Sequence, residues 1–293
     1  MSPSGRRYLV IVRAGEKSLH RGWLEGGPRN WDLVVSWYGA ETYQTIADER
    51  VLPAKGWKWD VLAAQLDAEP ELVAGYEYFW FPDDDIEADA GRISRMFELT
   101  ETQGLAISQP ALSADSYFSH LHTMQARSFL LRYVDFVEVM VPCLSRQTLL
   151  RALPLMHETP SGFGLDFLWT RFERDNGRRA AVLDAVPVRH TRPVGKFLAK
   201  RIAAEGSSSK EIGRRLLARF GVKWQHRQLH TYAGLDRNGR YRNRRSTVIH
   251  MLIDYALSFP RGVEPMRWRR LRKALGHIKA PPRLKQVVER VSG

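Results

Sequence analysis

The chain has 293 residues but a single cysteine, Cys143, no run of about eighteen apolar residues, and only six acidic side chains beyond residue 186. One cysteine excludes an intrachain disulfide and favours a reducing compartment. Without a long apolar run no transmembrane helix is expected. The apolar stretch 8–12 that follows Arg6 and Arg7 is too short for a signal-peptide core and reads as a first buried strand. The expected location is cytoplasmic, with peripheral contact at the inner membrane face left open. No P-loop, dinucleotide fingerprint or zinc-type cysteine spacing occurs.

Other features are abundant. The 9 Trp, 10 Tyr and 12 Phe exclude a disordered chain, and the length suffices for a core without disulfide or metal staples. Charge is divided unevenly. Residues 1–186 hold 19 basic and 26 acidic side chains, a net of −7, whereas residues 187–293 hold 26 and 6, a net of +20. The overall +13 therefore describes neither part. An acidic globular body (1–195) and a basic, mainly helical C-terminal region (196–293) are expected.

Across the first 190 residues, short β-rich runs alternate with helical patterns, the texture of an α/β sheet. Strands are expected over residues 8–12, 33–37, 76–81, 105–109, 136–144 and 180–188. Trp59, Leu62, Ala63 and Leu66 form one apolar helical stripe. Ile93, Met96 and Phe97 form a second, which Gly104 ends, and Leu165, Leu168, Trp169 and Phe172 form a third. Beyond Pro193 the spacing predicts short helices near 197–202, 208–220, 248–255 and 284–291, with a turn or hairpin tip at Asp236-Arg237-Asn238-Gly239.

The most informative segment is Tyr76-Glu77-Tyr78-Phe79-Trp80-Phe81-Pro82-Asp83-Asp84-Asp85. An aromatic strand delivers three adjacent carboxylates to its C-terminal end, where open α/β sheets bind ligands. Like charges packed together destabilise a fold unless a cation neutralises them. Oxygen ligands select Mg²⁺ or Mn²⁺, ions that in turn hold phosphate oxygens. The alternative is that the triplet, with Asp89, caps the helix that follows. Asp166 follows a glycine-flexed turn and lies off the stripe of its helix, so it reads either as a general base or as a first-turn acid that complements the helix dipole. His190, at the end of the last strand, reads as a metal ligand or as a hydrogen-bonded surface residue, with Arg189 or Arg192 near phosphates.

A resemblance covers residues 8–195. It rests on Ser18-Leu19-His20, Lys55-Gly56-Trp57-Lys58-Trp59, Phe81-Pro82-Asp83-Asp84-Asp85, Ile107-Ser108-Gln109-Pro110 and Ser116-Tyr117-Phe118-Ser119-His120. Segments 136–142, 162–167 and 184–195 continue it in the same order. Together these resemble a family of bacterial and plant proteins whose plant members carry a label relating to lysine-ketoglutarate reductase trans-splicing. That family is similar to the GT-A glycosyltransferases. The resemblance implies a Rossmann-like α/β sandwich that binds a nucleoside-diphosphate sugar through Mn²⁺ or Mg²⁺. It implies Asp83 near the ribose or metal, Asp85 as direct metal ligand, His190 as the late metal ligand and Asp166 as the base of an inverting transfer. The loop from Arg13 to His20 is implied to meet the nucleotide.

Lys55, Asp84 and Gln109 join Arg13 and Asp83 as nucleotide-sugar candidates, Lys55 being equally a solvated loop residue. Glu138 interrupts an apolar stretch, and a buried carboxylate needs a partner or a function. It is either a cleft residue or the partner of an arginine such as Arg127 or Arg132. His120 is the second acceptor-side candidate.

The expected activity is metal-dependent transfer from a nucleoside-diphosphate sugar to a glycan or lipid-linked hydroxyl acceptor. Two alternatives remain. The basic tail, where Arg240-Tyr241-Arg242-Asn243-Arg244-Arg245 interleaves arginines with an aromatic, suits nucleic acid or an anionic surface. Clustered aspartates with a cation also suit phosphate-ester hydrolysis. Nucleic acid ranks lower because it leaves the acidic triplet unexplained.

Overall fold

The structure, a computed structural model, describes residues 4–46, 49–175, 179–193, 209–222 and 230–258. In chain order its first elements are β1 (Tyr8–Ala14), β2 (Trp31–Trp37), β3 (Glu49–Pro53), α1 (Lys58–Ala68), α2 (Pro70–Gly75), β4 (Tyr78–Trp80), β5 (Ile86–Glu87), α3 (Ala90–Thr102) and β6 (Leu105–Leu112). They continue with β7 (Phe129–Val134), β8 (Cys143–Ser145), α4 (Arg146–Glu158), α5 (Leu165–Asp175), β9 (Arg179–His190), α6 (Ser209–Arg219), β10 (Thr231–Asp236), β11 (Tyr241–Asn243) and α7 (Arg244–Ser258).

All seven residues of β1 are buried. Tyr8, Val10, Val12 and Ala14 feed one core while Leu9 and Ile11 feed the other, as alternation on a two-sided strand requires. The strands run in the order β3-β2-β1-β4-β8-β6-β9-β7-β10-β11, and β5 pairs with the end of β9. The β1 strand is parallel to both β2 and β4, whereas β8 is antiparallel to β4 and β6. Helices α1, α2, α4, α5 and α6 bury their apolar residues on one face. Helices α3 and α7 cover the other. The result is a three-layer α/β sandwich, the class the alternating pattern predicts. Among the described residues no helix is long and apolar enough to cross a membrane.

The expected helical stripes are buried as read, with Trp59, Leu62, Ala63 and Leu66 on α1 and Ile93, Met96 and Phe97 on α3. The side chain of Phe172 and the helices expected near 197–202 and 284–291 lie outside the described residues. Three findings differ from the sequence reading. The strand expected over 136–144 is a loop that ends in the three-residue β8, and the strand is instead β7. Arg132 hides β7 in the sequence because it breaks the apolar run. In the fold, Arg132 is fully buried against Asp184, with Nε–Oδ2 at 2.7 Å and Nη2–Oδ1 at 2.9 Å. Second, β3 was not anticipated, its mixed ERVLP sequence fitting an edge strand of intermediate exposure. Third, the sheet continues past residue 195. There β10 pairs antiparallel with β7 and, through the hairpin at Asp236–Gly239, with β11, so part of the basic region is strand.

Strands β2 and β4 flank β1 on opposite sides and run in its direction, so the chain departs from β1 in one direction and returns on the other. Open α/β sheets bind ligands outside the C-terminal ends of the strands at such a point, here β1 and β4. Ala14 and Trp80 mark those ends, and the Asp83–Asp85 triplet comes directly after.

Candidate active site

The three aspartates of the triplet have three different fates. Asp83 Oδ1 accepts a hydrogen bond from Lys58 Nζ at 2.6 Å, while the same ammonium donates to the carbonyls of Phe81 and Val139. Asp84 is a tie between segments. Its Oδ2 accepts from Gly15 N–H (3.2 Å) and Tyr38 hydroxyl (2.8 Å), and its Oδ1 accepts from Arg192 Nη1 (3.1 Å). Asp85 Oδ2 lies 3.2 Å from His190 Nε2, and its Oδ1 is buried with no hydrogen-bond partner. The capping alternative is settled by Asp89, whose Oδ1 accepts from Arg92 N–H and so caps α3 without the triplet.

The Asp85–His190 contact is built by strand pairing. Ile86 and His190 are register partners between β5 and β9, which sets the preceding Asp85 beside the imidazole. Thr191 fixes the Asp85 backbone, donating from N–H (3.1 Å) and Oγ1 (2.9 Å) to its carbonyl. On the far side His190 Nδ1 lies 2.8 Å from the Tyr117 carbonyl. A carbonyl only accepts, so Nδ1 carries the proton and Nε2 is the nitrogen left to face Asp85. Burial works to lower the His190 pKa, but Asp85, the Tyr117 carbonyl and the Asp83 charge together outweigh it, and the net shift is upward.

A second group of titratable side chains gathers around the loop that replaces the expected strand. His120 Nδ1 lies 3.5 Å from Glu138 Oε1, and both interact electrostatically with Asp166 at the start of α5. Glu138 Oε2 and Asp166 Oδ1 are buried without hydrogen-bond partners. Burial raises the Asp166 pKa to about 7; His120 opposes that rise and Glu138 adds to it. The turn before α5 requires glycine. Gly162 sits at φ +77° with Trp59 so close that an added Cβ would come within 2.3 Å of its indole. The two groups adjoin through the backbone, because Met140 accepts a hydrogen bond from Asp83 N–H and Val139 accepts from Lys58.

Several other sequence candidates are held by contacts within the protein. Arg13 is buried and donates to Ser36, Ala54 and Gly56 while lying over the Tyr38 ring, so it joins the ends of β1, β2 and β3. Lys55 Nζ donates to the carbonyls of Tyr38 and Gly39. Gln109 is fully buried, and its Oε1 accepts from Glu138 N–H at 2.7 Å. Glu138 meets His120 and not an arginine, since Arg132 is taken by Asp184. Among the described residues no three His, Cys, Asp or Glu side chains converge as a metal cage, and Asp83 turns to Lys58 instead of joining Asp85 and His190. Lys58 is the residue the sequence reading passed over. Its signal was a lysine on the N-terminal turn of α1 beside the buried Trp59.

A family model described as "Protein of unknown function (DUF707)" matches residues 53–133. No curated protein matches the chain. Among solved structures, it is similar to S. aureus TarS 1-349 in complex with UDP, at 13% identity and a TM-score of 0.41 over 62% of this chain and 59% of that one. The TarS 1-349 complex with UDP-GlcNAc gives 14% identity and a TM-score of 0.43, over 66% and 60% of the two chains. Glucosyl-3-phosphoglycerate synthase from Mycobacterium tuberculosis, in complex with Mn²⁺, UDP and phosphoglyceric acid, gives 15% identity and a TM-score of 0.42, over 84% and 92%. The chain thus spans about three fifths of the length of TarS 1-349.

Proposed function

We propose that the chain transfers a glycosyl group from a nucleoside-diphosphate sugar to a hydroxyl of a glycan or lipid-linked acceptor, with Mn²⁺ or Mg²⁺ as cofactor. The observation that carries this reading is Asp85, a buried carboxylate with one oxygen unpartnered and the other beside His190, just past the C-terminal end of β4. Two protein donors suit a hard divalent cation that keeps substrate phosphates and water as its remaining ligands. Asp85 and His190 would hold that ion, with Asp83 and Lys58 alongside. Bound there, it would neutralise charge on the departing diphosphate.

Asp166 supplies the base. An apparent pKa near neutrality matches the task of taking a proton from an acceptor hydroxyl. The hydroxyl oxygen bonds to the anomeric carbon as the carbon–oxygen bond to the diphosphate breaks, its electron pair leaving with the diphosphate. Attack opposite the leaving group inverts the anomeric centre. His120 and Glu138 border the acceptor side and set the charge around Asp166. Arg13, Lys55, Asp84 and Gln109 hold the walls of the donor side.

A thermal-shift panel of nucleoside diphosphates and their sugars, with and without Mn²⁺, tests the reading. Metal-dependent stabilisation by one nucleotide is expected, absent in Asp85→Asn. No response to any nucleotide would overturn it, as would phosphate release from simple phosphate esters without a sugar acceptor.

A further inference from the structure

Exposed apolar side chains are concentrated at one place. Among the described residues, eight large hydrophobics are exposed, and Tyr241, Ile249, Ile253 and Leu257 on β11 and α7 account for half of them. Ile249 is 45% exposed, Ile253 52% and Leu257 75%. A spacing of four residues stacks these three along one helix face. Their exposed neighbours are Arg245, His250 and Ala256. The opposite face, with Val248, Met251 and Tyr255, packs onto the sheet. Asp254, the one acid of α7, is buried and accepts hydrogen bonds from Ser128 N–H and Oγ, so the stripe carries no negative charge.

Arginines gather at the N-terminal end of this stripe. Arg240 and Arg245 are exposed. Arg242 pairs with Asp236, and Arg237 donates to the Arg127 carbonyl. His250 shares a shallow cleft with Arg237, Asn238 and Arg242, so the hairpin and the helix stripe border one surface.

We propose that the β10–β11 hairpin and α7 form a docking surface for an anionic lipid membrane, the aliphatic stripe entering the interface and the arginines meeting headgroup phosphates. Charge complementarity and chemistry select this occupant. Lipid interfaces bury aliphatic side chains and attract adjacent cations. Nucleic acid would use the arginines and could stack a base on Tyr241. It gains nothing, however, from the three aliphatic side chains Ile249, Ile253 and Leu257, which a lipid interface buries. A second copy would set arginines against arginines across a patch of three side chains, small beside the roughly 1,200 Å² or more that specific interfaces bury.

The test is co-sedimentation of the full chain with vesicles of phosphatidylglycerol and phosphatidylcholine, against phosphatidylcholine alone. Binding to the anionic vesicles only is expected. Combined Ile249→Ser, Ile253→Ser and Leu257→Ser should weaken binding about tenfold or more, and Arg240→Ser with Arg245→Ser roughly tenfold. Circular dichroism checks that both variants fold. Cys143 is buried, so Leu257→Cys places the one reactive thiol on the stripe, and an environment-sensitive dye there should brighten when anionic vesicles are added. Vesicle binding unchanged in the triple variant would overturn the proposal. So would binding of a DNA duplex but not of vesicles, or a dimer that the triple variant dissolves. A dye already shielded without vesicles, as residues 259–293 folded over the stripe would produce, would overturn it too.

Discussion

Three buried charged clusters lie in or beside this sheet, and one of them differs from the other two. Around Arg132 and Asp184, both fully buried, the donors and acceptors are matched. The guanidinium bonds Asp184 twice and also reaches the His122 and Met124 carbonyls and the Tyr255 hydroxyl, while Ala126 N–H donates to Asp184. Around His120, Glu138 and Asp166, two carboxylate oxygens have no partner, and the same holds for Asp85 beside His190. A buried polar group without a partner costs stability, so natural folds rarely keep one without a use. The matched cluster is a strut that joins β7, β9 and α7. The unmatched clusters have bonding capacity left for a ligand.

That contrast gives an ordered set of expectations. Arg132→Ala should cost the most, about 3–5 kcal/mol of unfolding free energy by chemical denaturation, because it leaves Asp184 charged and unpaired in the interior. A loss under about 1 kcal/mol would end the strut assignment. Asp85→Asn should leave the apo melting temperature near that of the parent and remove the Mn²⁺-dependent stabilisation by nucleotide. Equal nucleotide stabilisation in parent and variant would separate Asp85 from the cation.

The third expectation concerns pH. The Asp166 pKa stands at about 7 in the fold, raised first by burial, against about 3.9 in an unfolded chain. Between those values the folded state holds the extra proton, so this group's contribution to stability falls as pH rises from about 4 to about 7 and is flat above. Asp166→Asn should remove that component from a plot of unfolding free energy against pH. If Asp166 is the base, kcat/KM should rise through the same window. The smallest effect belongs to Lys55→Ala. Its ammonium only holds two exposed carbonyls, so turnover should stay within about twofold and stability within about 0.5 kcal/mol.

The sequence made part of this contrast legible. An aromatic strand followed by three aspartates placed the triplet at the end of β4, and glycines before Asp166 placed it at the start of α5. Those signals are local: strand alternation, turn chemistry and helix spacing. Partner choice is not local. Glu138 read equally well as the mate of Arg127 or Arg132, because only the sheet order, with β7 beside β9, brings Arg132 to Asp184 and leaves Glu138 to His120. The same limit hid β7 itself, whose central arginine looks polar until Asp184 is opposite. It also hid the loop over 135–142, where apolar residues are buried without strand pairing. There side chains satisfy the backbone, Trp169 Nε1 donating to Val137 and Thr170 Oγ1 to Asp135. The lysine that bonds the triplet, at Asp83, is Lys58, placed there by the first turn of α1.

The most direct test compares the unfolding midpoint and the turnover of Asp166→Asn with those of the parent chain. Turnover is read as nucleoside-diphosphate release from the donor that the thermal-shift panel identifies. The expected result is an unfolding midpoint at pH 8 that equals or exceeds the parent's, together with loss of turnover and retained Mn²⁺-dependent binding of the nucleotide. Full turnover in that variant, or a drop in stability as large as that of Arg132→Ala, would contradict the assignment of the unmatched cluster to catalysis.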